Sequence, residues 1–167
     1  WHCSSNAGNY DRVIMIDRNL SNILFNRIKH LLPKEYLDCK ILYINDVFRF
    51  SRYNNDGEFQ IHKDGINFDR NRNDEYPIWL QPMSMFTLNI FLNENFSGGE
   101  TDFFNSCNTN DLQFSIKPKT GRAGLFYAKQ WHACNKVNFD TTKGQTYKYL
   151  LRTDIMVTEQ KKLKLIY

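Results

Sequence analysis

A single short stretch with helical periodicity gives way to a chain of strands, and that switch constrains the fold more than any other feature. Leu20, Ile23, Leu24, Ile28, Leu31 and Leu32 recur at steps of three and four residues, which predicts one helix with Asp17 as its cap and Pro33 as its stop. A short apolar strand at 13–16 precedes it. Beyond Pro33 the pattern changes. Strand-like runs are predicted at 41–44, 47–53, 58–62, 84–93, 100–104, 112–117, 123–128 and 147–157. Turn-forming residues separate several of them: Asn45-Asp46, Asn54-Asn55-Asp56-Gly57, Ser97-Gly98-Gly99 and Pro118-Lys119-Thr120-Gly121. About eight strands joined by short turns predict a mainly β fold, a jelly-roll or barrel-like core with a flanking N-terminal helix. Thirteen phenylalanines and nine tyrosines supply large core side chains of types that favour strands. Neither a repeat nor a boundary splits the chain. Residues 1–167 are therefore expected to form one domain, with its core at about 41–157.

Several classes are set aside by composition. Cys3, Cys39, Cys107 and Cys134 have no zinc-like spacing, and a chain of 167 residues needs no disulfide framework. No apolar run is long enough to span a membrane. A net charge of +4 permits an acidic partner without demanding one. The chain begins at Trp1, as expected of an excised or processed domain. A soluble domain is expected, with the cytoplasm slightly favoured. Asn19-Leu20-Ser21 and Asn95-Phe96-Ser97 match a glycosylation sequon too short to argue from.

The chemistry is concentrated in a few residues. His62-Lys63-Asp64 places an imidazole and a carboxylate two apart on a strand, on one face, where both can reach one ion. His132 must join them from a distant strand. Two imidazoles and one carboxylate suit a non-haem iron(II) site with coordination positions left open. Lys148 and Arg152, on one face of the last strand, could hold the carboxylate of an organic acid cosubstrate. Residues 65–82 form a long charged stretch directly after Asp64, expected to be a substrate-covering lid or a solvated excursion. His2 and His30 are expected at the surface, and Trp131 in packing.

The motifs resemble those of iron(II)- and 2-oxoglutarate-dependent oxygenases of the prolyl 4-hydroxylase type. Arg49-Phe50-Ser51-Arg52-Tyr53 leads into His62-Lys63-Asp64-Gly65. Thr87-Leu88-Asn89-Ile90-Phe91-Leu92-Asn93 precedes Phe96-Ser97-Gly98-Gly99-Glu100-Thr101. Lys117-Pro118-Lys119-Thr120-Gly121-Arg122 through Phe126 leads towards His132, and Lys148-Tyr149-Leu150-Leu151-Arg152-Thr153-Asp154-Ile155-Met156 follows. The resemblance implies a double-stranded β-helix with His62, Asp64 and His132 as iron ligands. Lys148 falls where the family binds the far carboxylate of 2-oxoglutarate, with Arg152 second. Tyr53 and Asn89, with Thr87 beside it, are further candidates for the cosubstrate pocket. Phe91 stands where the family often has Tyr, and 138–142 looks like an insertion.

These readings imply a dioxygenase using Fe(II), 2-oxoglutarate and O2, with ascorbate as an accessory reductant. The favoured partner is a protein or peptide substrate, such as a peptidyl proline. Oxidation of a nucleic-acid base or a free amino acid is the runner-up, with Lys63, Arg70 and Arg72 as candidate phosphate contacts. A non-catalytic jelly-roll binding module is the rival from another class.

Overall fold

A computed structural model describes residues 2–3, 10–69, 71–140, 142 and 147–159. In chain order the elements are β1 (His2–Cys3), β2 (Asp11–Ile16), α1 (Arg18–Ile28), β3 (Glu35–Tyr36), β4 (Cys39–Ile44), β5 (Val47–Tyr53), β6 (Phe59–His62), β7 (Met83–Phe91), β8 (Ser97–Gly98), β9 (Thr101–Phe104), β10 (Leu112–Ile116), β11 (Ala123–Tyr127), β12 (Trp131–Cys134), β13 (Val137–Asn138) and β14 (Lys148–Glu159). The fold is mainly β with one N-terminal helix, a jelly roll of two sheets.

The larger sheet is organised around β14. On one edge its first half pairs with β5, Lys148 opposite Tyr53 and Arg152 opposite Arg49. Its second half pairs with β4, Ile155 opposite Ile44. Thus β4 and β5 act as one long strand broken at Asn45-Asp46. The other edge of β14 pairs with β7, which in turn pairs with β11. β2 flanks β5. The smaller sheet has the order β10-β9-β12-β6, and all its pairings are antiparallel.

Alternation along β14 sends its side chains to two destinations. Leu151, Ile155 and Val157 join Ile44, Phe48 and Leu88 in a core capped by Leu20, Leu24, Phe25 and Ile28 of α1. The helix thus covers the outer face of the large sheet. Lys148, Leu150 and Arg152 project the other way, between the sheets. There Leu150 packs with Tyr10, Tyr53, Phe91, Cys134 and Val137.

Asp17 caps α1 as predicted, its side chain accepting from the Leu20 N–H at 2.9 Å. The helix ends at Ile28, about one turn short of the predicted stop. The Leu31 N–H bonds to the Ile28 carbonyl at 2.8 Å, tightening the chain. Leu32 precedes Pro33, which disfavours α geometry there, and Leu31 is 73% exposed with no core to join. No helix among the described residues is long and apolar enough to cross a membrane.

Most described residues of the 65–82 segment are exposed, as in a solvated excursion, and none lines the cavity at the metal ligands, but one is a buried anchor. Arg72, 4% exposed, donates to Asp46 Oδ1 at 2.9 Å from Nε and 2.5 Å from Nη2, and to Ser21 Oγ at 2.8 Å. From α1, Arg18 reaches Asp74 at 2.7 Å and the Asn71 carbonyl at 2.7 Å. These bonds fasten the segment to α1 and the β4–β5 corner. Arg72 is therefore committed to a buried ion pair and is not a phosphate contact. Arg70 lies outside the described residues, as do Thr141 of the expected insertion and the side chain of His2. Val137 and Asn138 pair with Gly98 and Ser97.

Candidate metal centre

The two histidines meet because β6 and β12 are neighbours in the small sheet. His132 is directly opposite His62 in register, and their rings lie 4.2 Å apart between centroids. Asp64 follows the end of β6, where its N–H bonds to the Ala128 carbonyl at 2.8 Å. Its carboxylate stands between the imidazoles: Oδ1 is 3.6 Å from His62 Nε2, and Oδ2 is 3.6 Å from His132 Nε2. One ligand atom from each residue falls within 4.8 Å of the others, the arrangement needed to hold one metal ion.

The surroundings prepare these groups as ligands. His62 Nδ1 lies 2.7 Å from the Gln60 carbonyl, and His132 Nδ1 lies 2.9 Å from the Gln130 carbonyl. A proton on each Nδ1 satisfies those carbonyls and leaves both Nε2 lone pairs for the ion. Burial drives the His132 pKa down to about 4 against the opposing pull of Asp64, so its ring is neutral at pH 7. Burial alone would raise the Asp64 carboxyl. Its contacts with His62, Arg152, His132 and Thr87 outweigh that and hold it well below the usual carboxylate range. Thr87 donates to Asp64 Oδ2 at 2.5 Å, and Arg152 Nη2 approaches Oδ1 at 3.0 Å.

A cavity opens from the three ligands into the space between the sheets. Arg12, Ser51, Tyr53, Asn89, Leu150 and Arg152 are among the residues that line it. Three of its polar atoms, Arg12 Nε, Asn89 Oδ1 and Arg152 Nε, are buried without a hydrogen-bond partner. Such orphans are uncommon in folded chains and accord with a site shaped around a polar ligand. Behind Tyr53 and Cys134, Lys148 is fully buried. Its Nζ donates to the Gly99 carbonyl at 2.7 Å and lies 2.9 Å from Cys134 Sγ and 4.7 Å from the Tyr53 ring centroid. Among the described residues no carboxylate pairs with it. A buried ammonium without a counter-ion is costly, and a carboxylate brought beside Lys148 would relieve that cost.

The structure thus brings His62, Asp64 and His132 together and places Tyr53, Asn89 and Arg152 around one cavity. Lys148 stands one layer deeper. Thr87 serves the metal carboxylate and is not free to contact a cosubstrate. Lys63 stacks its ammonium 4.6 Å from the Trp131 ring centroid, and His30 is exposed. Arg12 was not predicted. It reaches the cavity from β2 because it lies opposite Ser51 on β5, a pairing with no local signal in the sequence.

The family model described as the 2OG-Fe(II) oxygenase superfamily matches residues 48–150. Among solved structures, a Pseudomonas putida prolyl-4-hydroxylase aligns with a TM-score of 0.60 at 12% identity, covering 92% of this chain and 75% of that one. The viral collagen prolyl hydroxylase of Paramecium Bursaria Chlorella virus-1 aligns with a TM-score of 0.53 at 19% identity, covering 90% and 80%. An oxidoreductase of the 2OG-Fe(II) oxygenase family from Burkholderia pseudomallei gives 0.54 at 14%, covering 94% and 70%. At these identities the likeness is one of fold. No curated protein matches the chain.

Proposed function

We propose a function from one premise: this chain belongs to the 2OG-Fe(II) oxygenase superfamily. Its fold and its two-histidine, one-carboxylate cluster support 2-oxoglutarate- and iron(II)-dependent oxygenase chemistry. The finer reading is hydroxylation of a protein side chain, with peptidyl proline as the leading candidate. The observation that carries the cosubstrate assignment is Lys148, a buried ammonium next to Tyr53 and Cys134 with no carboxylate partner among the described residues. Two of the similar solved structures are prolyl hydroxylases, and the polypeptide reading takes its substrate class from them. The burial of Arg72 against Asp46 also removes one of the cations that a phosphate backbone would need.

In this reading His62, Asp64 and His132 hold iron(II). When bound, the metal and 2-oxoglutarate supply oxygen activation, coupling oxidative decarboxylation to succinate with insertion of one oxygen atom into a C–H bond. The protein's part is positioning and shielding. The Gln60 and Gln130 carbonyls fix both imidazole tautomers. Thr87 and Arg152 hold the Asp64 carboxylate in place. Lys148 neutralises the far carboxylate of the cosubstrate, with Tyr53 and Asn89 lining its path. Leu150 and Tyr53 present apolar surface that keeps water out. No side-chain general base is required.

The test is turnover of the full chain with iron(II), ascorbate and 2-oxoglutarate against a panel of proline-containing peptides. Metal-dependent succinate formation, with a peptide mass gain of one oxygen atom, is expected. Succinate formation with no modified peptide, alongside oxidation of free amino acids or of oligonucleotides, would replace the polypeptide reading.

A further inference from the structure

The small sheet has a second face that the reaction does not use. Along β9, Thr101 lines the metal cavity and Phe103 packs 6.3 Å from the His132 ring, so alternation turns Asp102 and Phe104 outward. The outward face holds a cleft of about 760 Å³, within the size range of ligand sites. Its apolar surface includes Ile61, Phe104 and Leu112. Glu58, Glu100 and Asp102 supply three carboxylates against one ammonium, Lys136.

Asp102 sets this cleft apart from an ordinary acidic surface. The residue is 6% exposed, and its Oδ1 is buried with no hydrogen-bond donor among the described residues. An unpartnered buried carboxylate is destabilising, and a cation delivered beside it compensates. Leu112, on the same face, is left 51% exposed. A long cationic side chain answers both features. Its methylene stem covers apolar surface while its charged head meets the carboxylates.

We propose that this cleft docks a lysine- or arginine-bearing segment of the polypeptide substrate, an assignment that rests on the polypeptide reading given above. The layout connects the two sites. Ala133 and Cys134 of β12 line both the cleft and the metal cavity, so one strand's thickness separates them. β6 forms the edge of the small sheet and ends in His62. A segment leaving the cleft past that edge arrives on the metal side. The cleft therefore selects substrates by a positive charge at a distance from the modified residue.

The probe is a fluorescein-labelled ten-residue proline-rich peptide with two arginines, compared with its citrulline counterpart, which keeps the shape and loses the charge. Fluorescence anisotropy on the full chain should show the arginine peptide binding about tenfold or more tighter, with the advantage shrinking as salt rises. Asp102→Asn should remove most of that advantage, as should Glu58→Gln with Glu100→Gln if the Asp102 variant fails to fold. The His62→Ala chain should bind the peptide as the parent does. Equal affinity for the two peptides, or full arginine preference in a folded Asp102→Asn chain, would overturn the proposal. Succinate formation measured in parallel keeps the two readings apart. Charge-selective, Asp102-dependent binding without succinate leaves the cleft standing and removes the reaction. Succinate formation with no charge selectivity does the reverse.

Discussion

Replacing Lys148 by Met separates a cosubstrate anchor from a structural lysine, because the two roles predict opposite thermal behaviour. In the chain without cosubstrate, Lys148 is a fully buried ammonium bonded to one carbonyl and one thiol, with no carboxylate among the described residues. Met has a similar length and no charge to desolvate, so the Lys148→Met chain should melt at the parent's temperature or above it. The response to cosubstrate should differ sharply. At 100 times its Kd, 2-oxoglutarate stabilises the parent by about 2.7 kcal/mol, or about 5–11 °C for a domain of this size. Losing a buried charge-assisted partner costs about 2–5 kcal/mol, a loss of about thirtyfold or more in affinity. At the same concentration the variant then gains less than about 1 kcal/mol, a shift of about 2–4 °C or less. The assay is differential scanning fluorimetry with manganese(II) in place of iron, with and without 2-oxoglutarate. A Lys148→Met chain that keeps the parent's full shift would refute the anchor. In the same assay Arg152→Met should mainly reduce the metal-induced shift, since Arg152 is bonded to the metal carboxylate.

Thr87→Val removes the hydroxyl that donates to Asp64, and metal affinity measured by titration should fall about 10–100-fold with little change in melting temperature. Arg72→Met leaves buried Asp46 with only the 3.3 Å contact to Arg18 and should cost up to about 3 kcal/mol in chemical denaturation, although Arg72 lines no part of the metal cavity. Gly98→Ala should destabilise the chain by about 1–3 kcal/mol, because Gly98 has a φ of +72° and a Cβ there would lie 2.1 Å from the Lys136 carbonyl oxygen. Parent-like unfolding of the Gly98→Ala chain would show that the β8–β13 contact can relax.

The parts of the fold readable from sequence were those with a local period or a local stop. Asp17 announced the helix, and the apolar runs at 47–53, 84–93 and 147–157 announced β5, β7 and β14. β12 was expected only as a distant strand carrying His132, with no bounds readable in the sequence. Trp131-His132-Ala133-Cys134 has no β-branched residue, and its alternation of half-buried and buried side chains arises only from β9 and β6 on either side. The β3–β4 hairpin was missed because Leu37 and Asp38 both take positive φ without a glycine to mark the turn. At the site, His62 and Asp64 were legible because both ligands sit two residues apart. Arg12 and the structural role of Arg72 were not, because each depends on a partner more than twenty residues away in the chain. The charge of the 65–82 segment suggested a lid or a solvated excursion, whereas Arg72 within it is a buried anchor.

The position of β14 has a consequence for how the chain is made. This strand is hydrogen-bonded along both edges, to β4 and β5 on one side and β7 on the other, yet it is the last of the described elements to leave the ribosome. Until it emerges, β4 and β5 have no strand to separate them from β7, and three apolar edges stay open. Such edges are sites of mispairing in incomplete chains. The two imidazoles can meet earlier, since β6, β9 and β12 precede it. A nascent chain therefore holds both imidazoles in the small sheet before the large sheet has its central strand.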